Sequence, residues 1–394
     1  MLNSTPVPGW TRSVRSLFLV AMAVFVVTVV IGILNGLDLV TFSHDQILTH
    51  VHSGTIGWIS LGIIGAAMWL TRSGDARVTW ALVILVPVYV VAFYSGNLAF
   101  RAIAGTPLLV VIAIVFVWAW QAARRDGSFP AYALALALTT LAYGALFGVV
   151  LQVAFATSTT LLPGDGIGAH AATMTTSYLM LAGMGLVEWR LLGTRGVPRA
   201  GVVQIGALFI GGVILAAALL FSISLQIAGG LNILFELVAV GIFLWRIWPS
   251  ALRAPWMAPD DRRHLAFAAL VIPFSMAILM VIIVQAASSD DPNAVPVSLL
   301  VAFDHSVFIG VITNILFGLL YALTDDRPAE ASWLRHAVFI GVNAGMVVFV
   351  IGLILESSIV KQIGSPIMGL AILLGLAVLA RRLLASDLRA ATEG

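Results

Sequence analysis

Apolar runs of about twenty residues recur along this chain, separated only by short polar breaks, and they restrict its fold more than any other feature. In lipid, every backbone amide must find its partner within its own segment, so a spanning element is a helix or part of a closed barrel. Barrel strands alternate apolar and polar residues over about ten positions. Here the runs are unbroken and of helical length, which predicts an all-α integral membrane protein. Composition agrees, because 61% of the 394 residues are hydrophobic and 10% are charged. An average soluble domain carries roughly a quarter charged residues, so too little polar surface exists here to cover a soluble globule.

Reading windows bounded by charge, Gly or Pro gives twelve predicted spans, beginning near Val14, His50, Val78, Pro107, Pro130, His170, Gly201, Gly229, Leu265, Val297, His336 and Ile363. The connections are short, so residues 1–394 read as one transmembrane domain. The segment Met1 to Trp10 is short and polar, and Ser16 to Leu34 is long enough to span and stay, so no cleavable signal is expected. With the N-terminus in the cytoplasm, eighteen of the twenty Arg and Lys residues fall on the cytoplasmic side, and only Arg101 and Lys361 fall outside. Omitting one span would reverse the alternation partway and destroy that bias. Both termini are therefore expected in the cytoplasm, with the chain in a bacterial-type inner membrane. The excess of basic residues reflects topology and does not point to nucleic acid. Without cysteine, disulfides, thiolate metal sites and thioether-linked haem are excluded.

Three histidine segments stand out, at the external ends of spans two, six and ten. They read HSGTIGWISLGIIG from His52, HAATMTTSYLMLAG from His170 and HSVFIGVITNILFG from His305. Glycine follows each histidine after thirteen residues, at Gly65, Gly183 and Gly318, and small or hydroxyl residues match at Gly57, Thr175 and Gly310. Recurrence at four-span intervals predicts three four-helix units around a pseudo-threefold axis, covering approximately residues 14–123, 130–249 and 265–385. Ionisable side chains inside a membrane are costly, face the bundle interior and mark function. Neutral imidazole suits iron and copper, and two histidines on facing helices can hold a b-type haem as axial ligands. A histidine at a helix end can also simply hydrogen-bond in the headgroup layer.

Twelve spans, three four-helix units and histidines on spans two, six and ten resemble the haem-copper oxidase superfamily, and more loosely the NnrS-type haem- and copper-containing membrane proteins associated with nitric oxide. At residue level the likeness is confined to the histidine segments, HVHSGTIGWISLG above all. It implies a low-spin haem b ligated by His52 and His305, with His170 on the span that supplies a copper ligand. His50 competes with His52, since two residues apart on a helix they point nearly opposite ways. The repeat alignment favours His52. The glycine face of Gly54, Gly57 and Gly65, with room for a flat macrocycle, favours His50. Departures from the family pattern are as informative: span seven has no histidine pair and span ten has a single histidine. The expectation is a relative that keeps one haem, with copper as a second candidate metal, and lacks a complete oxygen-reducing centre. It would serve electron transfer from a cytochrome or quinol, or the handling of nitric oxide or dioxygen, alone or with a partner subunit or second copy.

Secondary candidates follow. Glu236 lies one helical turn beyond Asn232 and could relay protons or be a neutral carboxyl satisfied by a neighbour. Arg101 and Lys361 could pair with haem propionates or with headgroups. Trp58 and Tyr178 could line the cofactor pocket. Glu188, His264 and His336 are expected in the cytoplasmic interface. The rival class is an ion-coupled secondary transporter, which twelve spans with internal repeats also fit. A third is a structural subunit without its cofactor.

Overall fold

In a computed structural model of the chain, residues 8–193, 196–289, 294–326 and 331–388 are described. Among them, twelve long helices follow one another: α1 Gly9–Gly36, α2 His44–Leu70, α3 Ala76–Tyr94, α4 Leu98–Asp126, α5 Phe129–Thr157, α6 166–192, α7 Arg199–Phe221, α8 Leu225–Leu252, α9 Arg262–Ala287, α10 Val297–Leu323, α11 Ser332–Ile354 and α12 Ser358–Ala385. Eleven of them are long and apolar enough to cross a membrane. The exception, α6, carries a run of hydroxyl residues from Thr173 to Ser177 and is buried at nearly every position from Thr176 to Glu188.

Local chemistry sets the helix ends. Ser43 and Gln46 form a capping box at the start of α2, and Asp75, Asn97 and Asp165 accept from the first-turn amides of α3, α4 and α6. The fourth span begins nine residues before Pro107, the boundary expected from the sequence. Asn97 caps the true start, and the proline lies within α4. Proline removes one backbone donor, a defect that packed membrane helices tolerate.

Helices α2, α6 and α10 form the interior. In α2 and α10, 83% and 89% of the most apolar stretch is buried, against about half or less in the outer helices. The outer helices pack as a closed circuit in which α4 meets α5, α8 meets α9, and α12 returns to α1. Their outward faces carry large apolar side chains such as Ile103, Trp245 and Ile359, each at least 70% exposed, as a lipid-facing surface requires.

The three inner helices share one irregularity. Each passes through a π-helical segment, at Ser53–Ser60, Thr173–Leu179 and Ser306–Thr313. Hydroxyls follow the wider turn: Ser60 donates to the Thr55 carbonyl and Thr313 to that of Phe308, five residues back in each case.

At the end of the bundle away from these segments, two of the polar side chains expected in the interface, Glu188 and His264, are instead packed inside, while the third, His336, is half-buried. Glu188 is wholly buried, accepts from Gln204 Nε2 at 2.9 Å and pairs with Arg246 at 2.6 Å. His264 is buried against the Asn314 amide oxygen at 3.1 Å, and His336 accepts from the buried Arg263 at 2.8 Å. The buried carboxylate of Glu188 is thus set against the guanidinium that compensates it.

Candidate functional site

Four histidines gather near the starts of the inner helices. His50 on α2 faces His305 on α10, with ring centroids 6.3 Å apart and planes inclined by 22°. His52 turns the other way and, with His170 of α6, lines a cavity of about 1040 Å³. The opposite directions of His50 and His52 follow from their two-residue separation on a helix.

In all four rings Nδ1 is hydrogen-bonded to a backbone carbonyl. His50 bonds Thr28 at 2.8 Å, His52 bonds Leu48 at 2.8 Å, His170 bonds Gly144 at 2.8 Å and His305 bonds Val301 at 2.9 Å. A carbonyl oxygen only accepts, so Nδ1 carries the proton and the Nε2 lone pair is left free. Among the described residues no hydrogen bond reaches these four Nε2 atoms, and none of them is sealed in protein, whereas Nε2 of His264 is both enclosed and unpartnered. An oriented ring with a free Nε2 is how proteins prepare imidazole for a metal.

The settings of the four rings fall into two kinds. His50 and His170 reach across to the preceding helix, α1 or α5, and lie against a glycine four residues beyond the bonded carbonyl. A Cβ placed at Gly32 would stand 2.9 Å from Cε1 of His50, and one at Gly148 would stand 2.9 Å from Cε1 of His170. His52 and His305 instead bond the carbonyl four residues back in their own helix and rest on aromatic rings of the following one. Phe93 stacks on His52 at 3.8 Å with Tyr89 edge-on at 6.2 Å, and Phe349 lies 4.8 Å from His305. Position relative to the π segment agrees: His50 and His170 come three residues before its first residue, and His52 and His305 come one before. His170 thus occupies the setting of His50, two residues from the register that aligns it with His52.

The other expected site residues are placed as follows. Gly54 and Gly57 do not open a slot for a macrocycle. A Cβ there would meet Thr28 at 3.2 Å and Val24 at 2.3 Å, so the space that these glycines leave is filled by α1. Arg101 is buried on Asp45 and the Phe93 carbonyl, with its guanidinium 4.7 Å from the centre of the Phe93 ring. Lys361 pairs with Asp38 at 3.0 Å. Each of these two cations therefore already has a carboxylate partner, Asp45 in the first turn of α2 or Asp38 in the loop before it. Glu236 is wholly buried and accepts from Asn232 Nδ2 at 3.1 Å, and its Oε2 has no hydrogen-bond partner among the described residues. Trp58 donates to Thr313 at 3.0 Å and stacks on Phe25, and neither it nor Tyr178 lines the cavity. Gly32, Gly148, Tyr89, Phe93 and Phe349 are the contacts that the sequence did not reveal. The one available signal was that Gly32 and Gly148, like His50 and His170, recur about one four-span interval apart.

No group of three or more His, Asp or Glu side chains positioned to hold a metal occurs among the described residues. The four histidines instead occur as one ring pair, His50 with His305, and two rings on the wall of one cavity, His52 and His170. No family model matches the chain, and no curated protein matches it.

Proposed function

We propose that the protein is a membrane-integral b-type haem protein that transfers electrons, with His50 and His305 as the axial ligands of its haem. The separation of the two rings carries this reading. A metal–imidazole bond of about 2.0 Å on each side, plus about 1.1 Å from each nitrogen to its ring centre, sums to about 6.2 Å. The two centroids stand 6.3 Å apart. Both Nδ1 protons are held by carbonyls, so both Nε2 lone pairs are free to bind a metal. The four equatorial ligands would come from the porphyrin, which is why two protein ligands suffice. A haem held by His50 and His305 would supply one-electron chemistry, and with both histidines committed to it the site would suit electron transfer better than the binding of dioxygen or nitric oxide. The chain's own residues orient the two imidazoles, exclude water with the surrounding apolar helices, and make no covalent bond to the macrocycle.

This reading includes the finer architecture. The shared π segments and repeated histidine settings support three four-helix units, and the charge bias supports twelve spans with both termini cytoplasmic in a bacterial-type inner membrane. The test is a reduced-minus-oxidised optical spectrum of purified protein from haem-replete cells. The expected result is the sharp band of a six-coordinate b haem, with one haem per chain lost in His50→Ala and the same one lost in His305→Ala. A colourless, iron-free protein would overturn the proposal and favour ion-coupled transport.

A further inference from the structure

The pair formed by His50 and His305 contains one ring of each setting, and so does the pair formed by His170 and His52. His170 matches His50 down to the helix-crossing carbonyl bond and the supporting glycine. His52 matches His305 in its own-helix carbonyl bond and in the aromatic support from the next helix. The match extends to the rim. Arg101 is the fourth residue of α4 and Lys361 the fourth residue of α12, and each is tied to an aspartate, Asp45 in the first turn of α2 and Asp38 in the loop before it. Each cation follows, within its own four-helix stretch, the histidine that rests on aromatic rings.

Continuing the pattern around the bundle predicts a third place, between α6 and α10. There the sequence lacks the histidines, the glycine and the cation of the other two, and keeps only the hydroxyl bond to the π segment that fixes the register. Ser275 bonds Ser306, the first π residue of α10, at 2.8 Å, as Thr28 bonds Ser53 in α2 at 2.6 Å. Four residues past Thr28 stands Gly32, but four past Ser275 stands Leu279. The histidine positions hold Phe303 and Ala172, and the fourth residue of α8 is Ala228. Two places retain a complete set and one has lost all of it, as expected if the set is kept as a unit for a ligand. Histidines serving only to end a helix in the headgroup layer would have no reason to pair across helices.

From these matched settings we infer that His52 and His170 are the axial ligands of a second b-type haem, seated in the cavity between α2 and α6. The inference rests on the reading of His50 and His305 as haem ligands. The cavity, at about 1040 Å³, is at the upper end of the roughly 300–1,000 Å³ typical of cofactor sites. Its walls are mainly aliphatic, with Leu108, Ile112, Leu141 and Leu215 among them; it runs on past α6 to Leu279 and Phe303 at the third place, and the histidines on its wall, His52 and His170, are both at the α2 and α6 side. A large apolar cavity whose wall carries two histidines with free Nε2 atoms offers what a planar, non-covalent metallo-tetrapyrrole needs.

The experiment counts haem and iron per chain in the full-length protein purified from haem-replete cells, by pyridine haemochromogen, elemental analysis and amino-acid analysis. Two haems and two irons are expected in the wild type. His52→Ala and His170→Ala should each leave one, and the haem still held by His50 and His305 reports that the variant has folded. His170→Gln, closer in volume, replaces an alanine variant that does not fold. One haem per chain, indifferent to His52 and His170, would overturn this inference and leave the first site standing. One haem lost with His52 or His170 but kept in His50→Ala and His305→Ala would overturn the first site and leave this one. One iron with one copper would overturn the identity of the second occupant. A haem-free protein would overturn both.

Discussion

Adding a single methyl group at Gly32 or Gly148 tests the geometry more sharply than removing a ligand. In either glycine the new Cβ would stand 2.9 Å from Cε1 of the histidine it supports. Carbon atoms rest comfortably at about 3.5–4.0 Å, so the ring must retreat by roughly 0.6–1 Å. Its Nδ1–H bond to the carbonyl one turn away is 2.8 Å in both cases. Such a retreat carries it past the roughly 3.2 Å limit of an ordinary N–H···O bond. Loss of the partner that orients a metal-bound histidine typically costs about 10–100-fold in affinity. Meanwhile Gly→Ala inside a helix favours the fold by about 0.5–1 kcal/mol, so there is no general reason for the bundle to loosen. Gly32→Ala should therefore speed haem loss from the His50 and His305 site by about 10–100-fold and leave the other site alone, and Gly148→Ala should do the reverse. Transfer of haem to an excess of a scavenging apoprotein, followed in the Soret region, separates the two phases. If the two variants accelerate the same phase, or neither changes any phase, the assignment of glycine to histidine is refuted.

Two further outcomes follow from the polar contacts. Glu188→Ala leaves Arg246 and Gln204 without their buried carboxylate, and breaking such a pair costs about 3–5 kcal/mol. Thermal unfolding in detergent should show a clearly lower midpoint, and an unchanged midpoint would refute the claim that this cluster stabilises its end of the bundle. Asp38, outside the spans, is held below its ordinary value of 3.8 by hydrogen bonds from Gln362 and then Lys361. A depressed carboxyl contributes stability above its unfolded value and loses it as pH falls through the folded one. Wild-type protein should therefore lose more stability than Asp38→Asn between about pH 5 and pH 2, and parallel profiles would show that the loop pairing contributes nothing.

Eleven of the twelve expected spans were legible because the sequence signal for lipid burial is long and redundant, and only the hydroxyl-rich α6 falls short of it. Pro107 misled because proline ends helices in water, whereas in a packed membrane bundle its missing donor costs less than a broken span. The histidines were legible as candidates but not as pairs. Glycines at both 183 and 185 allow the second repeat to be read in two registers, and the sequence reading took Gly183, aligning His170 with His52. The π segments choose the other register, since Thr173 then matches Ser53 and Ser306 and Gly185 matches Gly65 and Gly318. A π turn is a backbone feature set by tertiary packing, with no residue signature from which to read it. The glycine face of α2 failed as a guide for a related reason: glycine allows close approach, and the approaching body here is α1.

The π segments also explain why one helix can serve two sites. A π turn holds one residue more than an α turn, so it rotates the helix before it by about 100° relative to the helix after it. In α2 the portion after the π segment, Leu61–Leu70, is buried almost throughout, so its rotation is dictated by the interior. The extra residue frees the first two turns from that constraint, and they aim His50 at α1 and α10 while His52 faces α3 and the cavity. The helix α6 carries the same insertion but retains only the first of the two histidines, and α10 retains only the second. Only α2 therefore borders both sites. If both hold haem, the shortest covalent route between their irons runs through the three residues His50, Val51 and His52, with no hydrogen-bond or through-space step in the protein. That economy gives a physical reason for the α2 segment to keep both histidines while the other two inner helices keep one each.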